Sequence, residues 1–590
     1  MPNQVIPLTD LASVGLVMDT PSVSLPPNAF SDCQNVRFHD GAVRKMTGEA
    51  PLLSGSDFLY TAYWPSTMGD RYVTVDRTGT VNVHNPSGSV LYNISNQIAV
   101  GTNPEWQHTL FNGGFQLILN NGTGTPLFVD VNGNSGFLPG WDSYAAEREI
   151  LNFNLDGSAQ DITITNDLII ADAIITITST PRNVASPVRT GRFTVNADDT
   201  VSPDGTVAQV GTISAVDVAN NTIILTPAVV NGGNHVQVSI RLPAVATVTA
   251  GVVRSYGNLL VAGNLRESQV DGTVVRELRG LVRTSDVAAP GELPSNWNPF
   301  NRGVNTADEF TLAGTGQIQD MAELQGVMYV YTTDSIHSIQ NTGNALVPFS
   351  TGVVTRNYGA ETLGAVLEVD GKHIVCGSND VYVFAGHPGS IKSIADGKVR
   401  YSGFFDGGTR ITRFHKYDEL WFWKPNSNEQ YTWNYRKNIW SRRSHTIAGT
   451  DLVSLTEGPD SPIITRRRPI QGSVAEGSVV TSDNEMVYLP DSYIERRRFV
   501  MTPEFDTETL ASMAIVSEGT GMFDIFVVGT DAPGEVTNTI ATAGSFNIPD
   551  EYKHDIRVHG RLLNYRIEHT TTGNFVLSGL QFDISKGGTR

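Results

Sequence analysis

Three aspartates, Asp334, Asp380 and Asp418, sit at tight polar turns between apolar runs. Carboxylates in such turns could meet at the mouth of a ring of β-sheets and act as the acid and nucleophile of a glycosidase. Aspartate also favours tight turns for a local reason, because its side chain caps nearby backbone N–H groups. With no Asp-box pattern alongside, the turn role is the stronger reading. Trp421, Trp423, Trp433 and Trp440 are half of the eight tryptophans and fall within 20 residues of one another. They could form a platform for sugar rings, but their mixing with other apolar residues favours burial. Asp130, Asn132 and Asn134 open like a calcium loop; the required glycine comes one place late, at Gly136, and the closing Glu is missing. The twelve histidines show no ligand spacing. His337 reads as a strand residue and His387 as a turn residue. No phosphate-binding loop, dinucleotide fingerprint, zinc-protease motif or nucleophile elbow is present. No metal, no cofactor and no catalytic residue is therefore expected, and the chain reads as a non-enzyme.

Two arginine triplets remain: Arg466-Arg467-Arg468 and Arg496-Arg497-Arg498. In an acidic chain they are local positive patches and the best candidates for contact with a partner protein. Nucleic-acid contact and local salt bridges are the other readings.

The chain has 590 residues, enough for several domains, and carries 60 acidic against 41 basic residues for a net charge of −19. That balance argues against a general nucleic-acid binder and against a basic membrane-surface protein. Charged residues are only 17%, and glycine is abundant at 57 residues. With many Thr, Val and Asn, this suggests a chain rich in strands and turns. The longest apolar candidate for a membrane span, residues 168–177, is short and interrupted by Asp172. The start lacks a cationic and apolar leader pattern. Cys33 and Cys376 lie far apart and suggest neither a disulfide framework nor a zinc site. These features together suggest a reducing cytoplasm as the place of synthesis. No lysine occurs between Lys45 and Lys372. Arginine, which loses less entropy per hydrogen bond, carries the positive charge there, as suits fixed contacts.

These candidates are carried by a repeat. Tyr329-Val330-Tyr331, a turn at Asp334, and Ile336 to Ile339 match Ile374-Val375-Cys376, a turn at Asp380, and Val381 to Phe384; the two aspartates are 46 residues apart. Leu420 to Trp423 followed by Tyr431 to Tyr435 is a third copy. Weaker copies are Tyr72 to Val75 with Val81 to Val83, and Leu117 to Leu119 with Leu127 to Val129; Leu259-Leu260-Val261 is a half-copy. A period of about 45 residues with a few short strands per unit indicates a β-propeller. The period breaks between Ile118 and Leu260. There, residues 151–245 are full of Thr, Val, Ile, Asn and Asp and contain no Trp, Tyr, Met, Cys or Lys. The expected fold is all-β: a propeller-like body with an inserted small β-sandwich or barrel. The expected divisions are an N-terminal segment at 1–50, first blades at 51–150, the insert at 151–250, main blades at 251–445 and a C-terminal β region at 446–590. This last region would close the propeller.

The run Gly15-Leu16-Val17-Met18-Asp19-Thr20, then Leu25 to Phe38, then Asp40-Gly41 and Lys45, resembles the N-terminal motif of tail nozzle proteins. These are also called tail tubular, hub or DNA-stabilisation proteins, of short-tailed bacteriophages. Val282 to Asp286 followed by Asn296 to Pro299, the runs 329–339 and 371–386, and the closing 577–587 are also similar to that family. Thr284 stands where the family often has an aromatic. The resemblance spans most of the chain outside residues 150–250. It implies a structural virion protein, assembled in the bacterial cytoplasm and located in the tail. It further implies a homohexameric ring below the head-to-tail adaptor protein, near tail fibres or tailspikes. Such a ring lines the exit channel, retains the genome until ejection and passes DNA without specific binding or stable membrane insertion. The acidity suits a conduit, because like charge lowers sticking to DNA. The insert, as the largest departure from the family, is expected to project outward or toward the tip. A tail-associated carbohydrate-binding or glycoside-cleaving propeller is the alternative.

Overall fold

Runs such as Leu117-Ile118-Leu119 and Trp421-Phe422-Trp423 are apolar on both faces, which suits a strand covered on both sides. In the computed structural model these runs are the second strands of small antiparallel sheets. The structure describes residues 4–53, 58–94, 105–141, 247–268, 274–299, 305–314, 316–344, 347–444, 451–470, 473–489, 491–502, 506–532, 542–548 and 550–586. In the insert it describes 148–156, 162–165, 174–180, 189–195, 201–203, 211–217, 220, 222–227 and 235–242. Among these residues strands dominate and no α-helix occurs.

Seven sheets share one plan, four antiparallel strands side by side; in six the four follow in sequence order, and the blade 6 sheet adds Gly15–Leu16 and Ala29–Phe30 at its edge. They are blade 1 (residues 58–94), blade 2 (107–137), blade 3 (247–311), blade 4 (318–355), blade 5 (366–393), blade 6 (410–444) and blade 7 (451–488). Blade 7 has only three strands of its own. Its fourth comes from the other end of the chain: Thr47–Leu53 pairs antiparallel with Ser473–Tyr488, with Leu53 opposite Val479. The ring is thereby closed by a strand from early in the sequence, and blade 7 packs on the first strand of blade 1. The first strand of each blade lines the axis. Each touches the next blade, from Phe58–Ser66 of blade 1 round to Asp451–Thr456 of blade 7.

Each full repeat read from the sequence is a second-to-third-strand hairpin, and the half-copy Leu259-Leu260-Val261 is the second strand of blade 3. Val73 lies opposite Val83, Leu119 opposite Leu127, Tyr329 opposite Ser338, Val375 opposite Tyr382 and Leu420 opposite Trp433. These strands are buried between neighbouring blades, and each fully covered large side chain contributes about 1.5–3 kcal/mol. All four clustered tryptophans are buried, with Phe422, Trp433 and Trp440 stacked at centroid distances of 5.1 and 5.9 Å. Cys33 and Cys376 are buried and unpaired; burial pushes the Cys33 thiol up to about 12.

Two further bodies accompany the ring. Between blades 2 and 3, the insert forms a five-stranded and a three-stranded antiparallel sheet, with Ile175, Phe193 and Val238 buried. It is not an eighth blade, because blade 2 bonds directly to blade 3. Gln107 donates to the Gly251 carbonyl at 2.6 Å and Asn120 to that of Ala250 at 2.8 Å. The second body is a pair of sheets built from both chain ends. One holds Gln4–Thr9, Val36–His39 and Ala42–Lys45 with Glu508–Gly519, Lys553–Gly560 and Phe575–Lys586. The other holds Asp32–Gln34 with Ser492–Val500, Gly521–Thr530, Thr542–Ile548 and Leu562–His569. Its core runs without a break into blades 4 to 6, so this terminal sandwich and the ring are one packed mass.

Candidate functional site

The N-terminal segment forms the junction between ring and sandwich. Gly15 pairs in parallel with Trp440 of blade 6 at φ +73°, and a Cβ there would lie 2.5 Å from Ile439 and 2.8 Å from the Trp440 carbonyl. Only glycine fits that approach. The Met18 N–H donates to the Lys398 carbonyl at 2.6 Å, and the Asp19 carboxylate accepts the N–H groups of Arg400 and Tyr401 at 2.7 and 2.9 Å. Asn35, in the left-handed region at φ 56°, donates its N–H to the Arg442 carbonyl and accepts the Ser444 N–H at 2.8 Å. Buried Arg37 grips Glu419 of blade 6 with two bonds of 2.6 and 3.0 Å and lies 3.7 Å over the Tyr417 ring. On the sandwich side, Lys45 reaches His569 Nδ1 at 2.9 Å and the Thr571 carbonyl. Burial lowers Lys45 to about 8, while burial and then Lys45 lower His569 to about 4. A charged lysine donating to a neutral imidazole is the consistent state of that pair at neutral pH.

The second arginine triplet does not form one patch. Arg466, Arg467 and Arg468 lie on the second strand of blade 7, Ile463–Ile470, with Arg466 paired to Leu452 and Arg467 to Asp451; their side chains lie outside the described residues. The second triplet is divided three ways. Arg496 is buried and donates to the Leu25 carbonyl at 2.8 Å, so it offers nothing to a surface partner. Arg497 is exposed and pairs with Glu495 at 2.5 Å. Arg498 sits at φ 53° in a bulge, where its N–H donates to Asn564 at 2.8 Å. The bulge breaks the alternation that would have put two of the three on one face.

The turn aspartates do not converge. Asp334 and Asp380 follow second strands, whereas Asp418 follows the first strand of blade 6, at the opposite end of the sheet. Each serves its own turn. Asp334 accepts from Thr332, Asp380 from Ser393 and the Val381 N–H, and Asp418 from Tyr435. Asp130 spends its oxygens on the N–H groups of Asn132 and Asn134 and the Asn134 side chain. No cluster of metal-ligating side chains occurs among the described residues.

The first strands assemble a polar centre that was not singled out in the sequence. On the axis, Arg254 of blade 3 donates to Gln107 of blade 2 at 2.5 Å and to Asp320 of blade 4 at 2.6 Å. Asp320 is 1% exposed and also accepts the N–H groups of Met321 and Gly364 at 2.8 and 2.9 Å. Arg410 of blade 6 reaches Glu105 at 3.3 Å and lies 5.5 Å over the Trp423 ring. The Tyr60 hydroxyl of blade 1 is 2.6 Å from His108 Nδ1, and burial, then the Arg254 charge, lowers His108 to about 4. These residues surround an axial cavity of about 290 Å³ that six of the seven blades line directly or at their edges. A sequence signal was available: polar residues recur in the strand just before each apolar hairpin.

No family model matches this chain, and no curated protein matches its sequence. Solved structures do match. One is the WD40 repeats of RRP9, at 7% identity, covering 74% of this chain and 99% of that one with a TM-score of 0.33. Another is BamB from Moraxella catarrhalis, at 10% identity, covering 75% and 98% with a TM-score of 0.33. At such scores the β-propeller assignment rests on the strand pairing above. The chain is an all-β protein with a closed propeller body.

Proposed function

We propose that this chain is a structural protein of a short phage tail. In this reading it forms the ring-shaped nozzle below the adaptor ring, lines the DNA exit path and retains the genome until ejection. The observation that carries the reading is the position of the motif residues. Gly15, Asp19, Asn35 and Arg37, which bear the resemblance to nozzle proteins, hold the N-terminal segment to the ring, and Lys45 of the same motif ties it into the sandwich. A body fixed in this way suits a part that must hold back packed DNA without bending. The propeller's own axis is crossed by the Arg254–Asp320 pair, so in this reading DNA passes through the centre of a ring of six copies, not through one propeller. The acidic surface lets DNA slide without adhering. Tail fibres or tailspikes would dock on the outside of the ring, with the insert as their nearest candidate seat. The test is the mass of the purified chain alone and mixed with adaptor rings. Six copies joining each adaptor ring is the expected result; a chain that stays monomeric with adaptor present would overturn it.

A further inference from the structure

Each blade ends in an outer strand, and an open sheet edge invites pairing with another chain unless it is short, charged or covered. Most blades here manage theirs. The outer strands of blades 2 and 5, Ser135–Phe137 and Lys392–Ser393, are only three and two residues long. That of blade 3, Asp308–Thr311, carries Asp308 and Glu309. That of blade 6, Ile439–Ser444, carries Arg442 and Arg443, and Gly15 pairs against it. That of blade 7, Thr47–Leu53, carries Glu49 and Pro51. Blade 4 departs from this pattern. Its outer strand, Val347–Thr355, is nine residues long, lies at the end of its sheet and pairs only with Ile336–Asn344 among the described residues. No Asp, Glu, Lys or Arg occurs from Ser335 to Thr355. His337 is buried, and burial lowers its pKa, so it adds no charge at neutral pH. Pro348 sits near the hairpin tip, opposite the bulge between Asn341 and Asn344, and leaves residues 349–355 unguarded. Val347 and Val353 are 56% and 40% exposed. The outer strand of blade 1, Val90–Ile94, shares these properties. It lies in a stretch from Asn85 to Pro104 with no charged residue, and its Val90 and Leu91 are 54% and 43% exposed.

We propose that these two edges are the halves of one contact between copies of this chain: the blade 4 edge of one copy pairs, strand to strand, with the blade 1 edge of the next. The net charge of −19 makes copies repel wherever their acids meet. Two like-charged copies approach at least cost along an uncharged edge, whereas a basic partner would be met by acids. Backbone N–H and C=O groups of the two strands supply the bonds, and the exposed valines and Leu91 are withdrawn from water. A contact between two blade 4 edges would leave the blade 1 edge open. Blades 1 and 4 stand on opposite sides of a ring of seven, so one copy uses both edges at once, each with a different neighbour. Such a head-to-tail contact, repeated, builds a ring where its rotation closes. The inference is carried by the edges and not by the nozzle reading, which adds only the number of copies.

The test mixes two preparations of the full chain, Thr351→Cys and Leu91→Cys, and treats them with a short bismaleimide, both alone at high protein concentration and bound to adaptor rings. Cys33 and Cys376 are buried and stay out of the reaction. The expected result is a link between position 351 of one copy and position 91 of another. It should be at least tenfold more abundant than in mixtures where Val516→Cys, exposed on the sandwich, replaces either variant. Thr351→Lys makes the chain less negative, so a general easing of repulsion would favour assembly. A charge on the pairing edge should instead weaken assembly of copies tenfold or more, with the melting temperature unchanged because the side chain is exposed. Links among Thr351→Cys copies alone, no 351–91 link in either setting, or assembly as strong in Thr351→Lys as in the parent would each overturn the proposal. Six copies on an adaptor ring without the link would overturn this contact and leave the nozzle reading standing; the link without adaptor binding would support the contact and overturn the nozzle.

Discussion

Two groups of arginines in the same propeller are treated in opposite ways. Inside blade 3, Glu267 is fully buried and accepts from Arg276 at 2.8 Å and Arg283 at 2.9 Å, while Arg283 also donates to Glu309 at 2.9 Å. Each guanidinium there faces carboxylates that are themselves withdrawn from water. At the axis, Arg410 and Arg413 face carboxylates on the solvent side and keep buried Nε donors without partners. The first arrangement pairs its charges inside the blade, although Arg276 Nη2 there also lacks a hydrogen-bond acceptor; the second places its counter-charges toward water. Burial of a charge alone does not mark a functional site. What distinguishes the axis is that the counter-charges of Arg410 and Arg413 are half-exposed, whereas those of Arg276 and Arg283 are buried.

The largest effect that would sharpen this contrast is in blade 3. Glu267→Gln keeps the shape of the side chain but leaves two buried arginines short of a counter-charge. It should cost about 3–5 kcal/mol, read as a lower urea midpoint and melting temperature. A loss below about 1 kcal/mol would mean that water or neighbours already compensate the network, and the contrast with the axis would fail. Next comes Asp320→Asn, which removes the one buried counter-charge at the axis. Arg254 is partly exposed, so the expected loss is smaller, about 2 kcal/mol.

Acid should act on the axis and not on blade 3, whose network holds no histidine. His108 titrates near 4 in the fold against an ordinary value of 6.5. Between these values the unfolded chain binds the proton more readily, so stability falls as pH drops from 6.5 toward 4. Burial of this one group accounts for roughly 2 kcal/mol over that window. His569 in the sandwich adds a loss of the same sign over the same range. Melting curves at pH 7 and 4.5 should therefore show a drop that His108→Gln reduces but does not abolish. An unchanged drop in that variant would place the acid sensitivity outside the axis.

The sequence was most legible where burial is two-sided. The second and third strands of five blades, and the second strand of blade 3, stand out because both faces are apolar, as in Ile374-Val375-Cys376 and Trp421-Phe422-Trp423. Blade 7 escaped the repeat for two reasons: Arg466 to Arg468 interrupt its second strand, and its outer strand, Thr47–Leu53, lies more than 400 residues upstream. Periodicity along the chain cannot register a sheet assembled from both ends. The axial residues escaped because the first strands are polar toward the axis: Gln107, Arg254, Arg410 and Ser454 read in sequence as ordinary surface positions. Their convergence depends on ring closure, which no local pattern encodes. The Arg496 triplet misled for the converse reason, since a single bulge at Arg498 turned three adjacent charges to three different environments.

The smallest expected effect is a control within the same strand as the buried network. Arg279 pairs with Glu277 at 3.2 Å, but the two side chains are 60% and 52% exposed. Val274–Thr284 carries this pair alongside Arg276 and Arg283, so backbone context and sheet position are held constant. The distance is close to those of the buried pairs; only the surroundings differ. In water the Coulomb attraction is screened, and fixing two long side chains offsets what is left. Arg279→Gln should then change stability by less than about 0.5 kcal/mol, with a melting temperature within a degree or two of the parent. A loss comparable to that of Glu267→Gln would mean that distance, and not burial of both partners, decides what an ion pair is worth in this propeller. Exposed Glu105 and Asp370 would then count as full partners of Arg410 and Arg413, and the contrast between the axis and blade 3 would vanish.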